Sequence, residues 1–372
     1  MTQQFKVLHC LRAPLGGILR HVGDLVRGQA EIGLETGLVC DSTDLNARSA
    51  ELIAEMAPCC ALGIHRFPMK RSLGFGDFSA ALQVGRIAKA CGADILHGHG
   101  AKGGAYARIS ARKSGPLAFY TPHGGSLHYA PSSLAGRVYF TLERLMEFNT
   151  SGIIFESQYG MDTYAAKIGA PRCPARMIHN GISEAEFAPC PAGPDAADFL
   201  YIGELRQLKG VDLYLDALAR LNEKQPVSGH IVGSGSDEAA LRTRTAQLGL
   251  EARVRFHAPM PIREALAMAR FTVMPSRAES FPYVVLETLA AAKPLIATRV
   301  GGIAEMYGPM ANLLVEPDDR HALTAAMAAM LEAPDRAKED ADKLAAHLKD
   351  RFLLWDMVAG IADFYRAALE RS

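Results

Sequence analysis

At 372 residues the chain exceeds the ~250–300 residues at which single cores stop growing, so two domains are expected. Hydrophobic residues make up 49% and charged residues 22%, the balance of an ordinary globular protein, and no stretch reads as low-complexity. Forty Lys and Arg offset forty Asp and Glu, which argues against bulk attraction to nucleic acid.

The neutral total hides an asymmetry. Residues 1–185 carry 19 basic against 14 acidic residues, and residues 186–372 carry 21 against 26. A moderately basic first half suits an acidic membrane surface or an acidic acceptor. The seven cysteines (Cys10, Cys40, Cys59, Cys60, Cys91, Cys173, Cys190) show no metal-type spacing and read as reduced thiols of a cytoplasmic protein. The first apolar run is too short for a signal peptide and reads as a strand. No apolar stretch approaches the ~20 residues of a membrane span, so any membrane contact is expected to be peripheral.

Short β-branched runs alternate with amphipathic stretches from end to end, the pattern of βα units around parallel sheets. In the first half, strands are predicted at 6–10, 35–40, 95–98, 117–121, 152–155 and 176–178. Helices are predicted at 18–30, 78–91, 103–114, 133–148 and 157–168. Three prolines between Ala188 and Pro194 fix φ and remove donors, which predicts a linker there. The alternation then restarts, with strands at 198–202, 229–232, 253–256, 271–274 and 294–298. Helices fall at 211–221, 237–248, 263–269 and 282–292, followed by a strand near 312–315 and helices from 319 onward.

In open α/β sheets, ligands bind beyond the carboxyl ends of the strands, so the loops there are where chemistry is sought. Glu279-Ser280-Phe281-Pro282-Tyr283-Val284 follows one such strand. Pro282 suits the first turn of a helix and Ser280 its cap. Amides of Tyr283 and Val284 at a helix start suit a diphosphate. Glu287, four residues beyond Tyr283, could accept both hydroxyls of a ribose, and Glu279 could hold hydroxyls of a sugar.

A second loop, from Gly203 to Gly210, offers Arg206 and Lys209 to one anionic group. A third, Gly233-Ser234-Gly235, suits a nucleotide but lacks the third glycine of the dinucleotide fingerprint. In the first half, Gly16 and Gly17 link a strand to a helix. His123 follows another strand, where it could orient a sugar hydroxyl. His97 and His99 find no recognised metal-ligand spacing with Cys91 or Asp94, and no metal is expected.

Two basic clusters are candidates for docking on anionic lipid. One is Arg66, Lys70 and Arg71 near Phe67, Met69 and Phe75; the other is Lys102, Arg108, Arg112 and Lys113.

Taken in order, these segments resemble a family 4 glycosyltransferase along nearly the whole chain. The strongest marker is the Glu-x7-Glu signature of Glu279 and Glu287. Support comes from the Gly-x5-Lys-Gly loop (Gly203, Lys209, Gly210), from Asn180-Gly181-Ile182, from Val300-Gly301-Gly302 and from the early Gly16-Gly17. Three departures stand out: Glu204 where the family often has Arg, Pro282 where Gly is common after Phe281, and Lys293 where a Gly commonly ends the helix.

The resemblance implies a GT-B fold of two Rossmann-like α/β domains with parallel sheets facing across a cleft. It divides the chain into an acceptor domain at 1–185, a nucleotide-sugar domain at 186–350, and a returning helix at 351–372 that includes Trp355. It also implies a retaining, metal-independent glycosyltransferase with no cofactor beyond its nucleotide-diphosphate-sugar co-substrate. The acceptor would be a glycan or lipid-linked molecule of bacterial envelope polysaccharide assembly, near the inner membrane. His123, Arg206, Lys209 and Glu279 would be catalytic. Gly16, Gly17, Gly203, Gly233, Phe281, Tyr283, Val284 and Glu287 would bind the donor.

Competing readings are a nucleotide-sugar epimerase of the same fold, a two-domain NAD-dependent dehydrogenase with Asp41 as its ribose-binding acid, and a non-enzymatic sugar-binding protein.

Overall fold

The computed structural model describes residues 4–43, 46–71, 74 and 76–371, without the side chains of residues 112–114. The chain forms two compact units, residues 1–181 with 354–372, and residues 182–353.

The first unit alternates β1 (Lys6–Leu11), α1 (Gly16–Glu31), β2 (Glu35–Asp41), α2 (Ala47–Met56), β3 (Ile64–Phe67), α3 (Gly76–Cys91), β4 (Ile95–His99) and α4 (Gly100–Ser114). It continues with β5 (Leu117–Thr121), α5 (Leu134–Met146), β6 (Gly152–Phe155), α6 (Gln158–Lys167) and β7 (Ala175–Met177). The sheet is parallel, in the order β3-β2-β1-β4-β5-β6-β7. Central strands are buried almost throughout because helices cover both faces.

The second unit contains β8 (Ala197–Ile202), α7 (Val211–Asn222), β9 (Gly229–Val232), α8 (Glu238–Gln247), β10 (Val254–His257), α9 (Ile262–Ala267) and β11 (Ala269–Met274). Then follow α10 (Tyr283–Ala290), β12 (Leu295–Ala297), α11 (Ile303–Tyr307), α12 (Arg320–Glu332) and α13 (Pro334–Lys349). Its parallel sheet runs β10-β9-β8-β11-β12. In each unit the strand order reverses direction beside the first strand, at β1/β4 and at β8/β11, which opens a crevice at the carboxyl ends there.

The last helix, α14 (Leu354–Leu369), belongs to the first unit. Met357, Val358, Ile361, Phe364 and Tyr365 bury themselves with Phe5, Val7, Leu25, Ile95 and Phe119. Trp355 takes no large part in that contact and stays 45% exposed.

Several expectations need correction. The proline-rich segment is no linker: it lies inside the second unit, where Cys190 donates its N–H to Ala291 O and Gly193 to Ala267 O. Prolines stop a helix or central strand, but they do not stop a chain from lying along a domain's own surface. Helix α2 and strand β3 escaped notice because β3 is a four-residue edge strand with little burial and no alternation to read. The strand expected near 312–315 reduces to a single bridge between Thr298 and Val315.

In the two basic clusters, Arg66, Lys70 and Arg71 are exposed, while other members are engaged within the fold. Phe67 and Met69 are buried. Lys102 pairs with Asp77 at 2.6 Å. Arg108 is fully enclosed, bound to Glu143 at 2.8 Å and lying over the Tyr120 ring. Phe75 and the side chains of Arg112 and Lys113 lie outside the described residues.

Candidate functional site

The second unit's crevice is built by close backbone approach. A Cβ at Gly210 would land 1.9 Å from Pro275 O, and one at Gly233 would land 1.9 Å from Gly203 O. Only glycine lets the loops after β8, β9 and β11 close on one another in this way.

A short 3-10 turn, Gln207–Lys209, ends in the left-handed Gly210 and aims Lys209 at the neighbouring loop. There Lys209 Nζ donates to both oxygens of Glu279, each at 2.7 Å, across the β8/β11 switch point. Ser276 Oγ donates to the same carboxylate at 2.7 Å, and Thr298 Oγ1 donates to Ser276 O at 2.5 Å. Glu279 is buried, and Lys209 is partly open to solvent.

Phe281, Tyr283, Val284 and Glu287 are grouped at and on α10, with Phe281, Tyr283 and Glu287 buried. The helix begins differently from expectation. Pro282, at φ −73° and ψ 125°, is the N-cap itself, and Tyr283 opens the helix. Ser280 lies two residues outside that cap, and its carbonyl accepts Gly302 N–H at 2.7 Å. The residue before a proline is pushed towards extended backbone, which keeps Phe281 out of the helix. The helix's positive end and opening amides therefore lie a few residues from Glu279.

Arg206 and Lys209 hold different partners. Arg206 is 38% exposed and pairs with Glu204 at 3.2 Å, the acid that stands where the resemblance led one to expect Arg. A residue that sequence reading missed, Arg277, holds the crevice together. Its guanidinium donates to both oxygens of Asp212 at 2.8 Å, to Asp318 at 2.6 Å and to Gln207 O at 2.6 Å. Its own N–H donates to Leu208 O at 2.8 Å. The bond to Asp212, more than any other interaction, raises its pKa, so this cation is permanent. Asp212 lies 65 residues away in the chain, which left no local signal to find the pair.

Gly16, Gly17 and His123 belong to the first unit. Gly16, at φ 55°, and Gly17 open α1, whose start carries no side-chain cap. His123, at φ 50°, has both ring nitrogens turned to protein: Nδ1 donates to Glu156 Oε1 at 2.6 Å, and Nε2 lies 3.1 Å from His99 Nδ1.

His123 is one of five clustered histidines. His9 Nδ1 lies 3.0 Å from His99 Nε2, and His9 Nε2 lies 3.0 Å from Gln29 Oε1. His21 Nδ1 donates to Asn180 Oδ1 at 2.9 Å. His97 bridges Thr121 Oγ1 at 2.9 Å and Tyr365 OH at 2.5 Å. Burial lowers His9 to about 4 and His21 to about 3, and drives His97 and His99 well down. Burial opposes ionisation of Glu156, but His123, His21 and Asn180 outweigh it and keep the carboxyl below its ordinary range. Asp41, the acid on which a dinucleotide reading would depend, is engaged locally by Met69 N–H and the Thr43 hydroxyl, each at 2.7 Å.

Comparison with known proteins covers both units. Residues 15–186 match the family model described as Glycosyltransferase Family 4, and residues 196–333 match Glycosyl transferases group 1. A D-inositol 3-phosphate glycosyltransferase of Catenulispora acidiphila is 32% identical over 191 residues, 48% of this chain and 44% of its own. The aligned part thus spans less than half of that relative. An uncharacterized glycosyltransferase of Methanocaldococcus jannaschii is 26% identical over 304 residues, 78% of each chain. Among solved structures, Anabaena HepE in complex with UDP-glucose superposes with a TM-score of 0.80 at 19% identity, covering 98% of this chain and all of that one.

Proposed function

The chain belongs to the family 4 glycosyltransferases and shares their GT-B fold, and from that premise we propose that it transfers a sugar from a nucleotide-diphosphate sugar to a glycan or lipid-linked acceptor, with retention. The observation that carries this reading is the Lys209–Glu279 pair at the β8/β11 switch point, beside the start of α10.

Breaking the bond from the sugar to the diphosphate builds negative charge on the departing phosphate. Lys209 and the α10 amides are fixed positive groups at the place where that charge appears, so they stabilise the transition state without reorganising. Glu279, held rigid by Lys209 and Ser276, is suited to a sugar hydroxyl, and Glu287 to the ribose. Attack by the acceptor hydroxyl from the leaving-group face retains configuration, with its proton passing to the departing phosphate oxygen. Lys209 and these amides do the work that a metal performs in other transferases. The UDP-glucose of the Anabaena structure supports a nucleotide-sugar donor.

The test is turnover against a panel of UDP-, GDP- and ADP-sugars, read as sugar release and transfer. Lys209→Ala and Glu287→Ala are expected to reduce it by about tenfold or more with the fold intact. Unchanged rates in both variants would overturn the site.

A peripheral membrane contact is supported by a different element from those read in the sequence. On α5 and just beyond it, Leu134 (79% exposed), Val138, Leu142, Leu145 (58%) and Phe148 (74%) form an apolar stripe at helical spacing. Arg137, exposed, shares the helix, which fits an anionic lipid surface carrying the acceptor; Arg144 is held by Glu147 at 2.9 Å. No helix among the described residues is long and apolar enough to cross a membrane.

A further inference from the structure

The turn that carries Lys209 has little of its own to hold it in place. Arg206, Gln207, Leu208 and Lys209 are all at least partly open to solvent, between the buried Leu205 and Gly210. A single short 3-10 turn adds few internal hydrogen bonds of its own.

Its backbone is tied from outside by one residue. Arg277 donates Nη1–H to Gln207 O at 2.6 Å and its backbone N–H to Leu208 O at 2.8 Å. Lys209 is the next residue along, and its partner Glu279 stands two positions beyond Arg277. These two contacts therefore register the backbone on both sides of the Lys209–Glu279 pair.

The guanidinium is anchored in turn at two further places. It grips Asp212, in the first turn of α7, through both carboxylate oxygens, and Asp318, just ahead of α12, through Nε. Despite the cost of burial, Arg277 keeps the Asp212 carboxyl below its ordinary range. Two carboxylates thus neutralise Arg277, and four of its five side-chain N–H groups are engaged. Little is left with which to hold a phosphate directly.

We propose that Arg277 is a positioning residue for sugar transfer: it clamps Gln207 and Leu208 to α7 and to its own loop, and so holds the Lys209 ammonium where the diphosphate departs. This rests on the reading of Lys209 and the start of α10 as the diphosphate site. A lysine ammonium sits on a flexible four-carbon stem, so it is only as well placed as the backbone that carries it. A misplacement of about 1 Å can cost on the order of 100-fold in rate. Arginine alone offers a planar fork to a carboxylate together with further N–H groups for a carbonyl and a second acid. Lysine at this position would keep the charge and lose the span.

The test measures kcat and donor KM in the full chain, with the fastest donor among UDP-, GDP- and ADP-glucose. Arg277→Met and Arg277→Lys should each lower kcat by about tenfold or more, with a smaller change in donor KM. Introduced into Lys209→Ala, Arg277→Met should change kcat by less than about twofold, because it acts through the lysine that is already gone. Asp212→Asn keeps the side chain's shape and one accepting oxygen. It serves if Arg277→Met fails to fold, and its effect should likewise vanish without Lys209. A loss from Arg277→Met that is equally large with and without Lys209 would overturn the positioning role. Full activity in Arg277→Lys beside an impaired Lys209→Ala would also overturn it, since charge alone would then suffice. Unchanged turnover in Lys209→Ala would instead overturn the diphosphate reading, and this inference with it.

Discussion

Lys293 follows α10 almost fully buried, and burial, partly offset by Cys190, lowers its ammonium from 10.5 to about 8. Between pH 8 and 10.5 the folded chain has given up this proton while the unfolded chain keeps it, so stability rises with pH across that window. Below pH 8 the cost of the buried charge is fully present, on the order of 3 kcal/mol. Lys293→Met should therefore be more stable at pH 7 and should lack this part of the slope between pH 8 and 10. Urea unfolding of both proteins over that range checks it, and parallel curves would contradict it. The sequence marked Lys293 as standing where a glycine commonly ends the helix, yet the left-handed residue is Ala292, at φ 50°. Lys209, Glu279 and the α10 residues were legible because each follows a strand-end signal. Arg277 was not, because long-range ion pairs leave no local trace.

Among the elements, α10 shows what one residue does to a boundary: Pro282 stands at the N-cap and the helix starts one position later than expected. Strands with buried apolar runs could be read from the sequence, whereas the half-exposed edge strand β3 could not. Arg108 looked like a surface cation but neutralises a buried Glu143. The exposed apolar stripe lies on α5, whose periodicity was read only as a helix. If this stripe docks on lipid, Leu145→Glu with Phe148→Glu should abolish co-sedimentation with anionic liposomes at low salt and leave turnover on a soluble acceptor intact. Equal sedimentation of variant and parent would contradict it.

At the scale of the whole molecule, the alternation of strand and helix predicted two parallel α/β sheets, and both are present, with strand orders that reverse beside the first strand. What the pattern could not supply was the path of the linking segments, because exposed coil has no period. The account rests on the second unit's crevice holding a diphosphate. Calorimetric titration of UDP, GDP, ADP and NAD into the full chain and into Lys209→Ala tests this most directly. One nucleoside diphosphate should bind the parent at a single site, and the variant should bind it about tenfold or more weakly. Binding of NAD alone, or equal affinity in both proteins, would contradict it.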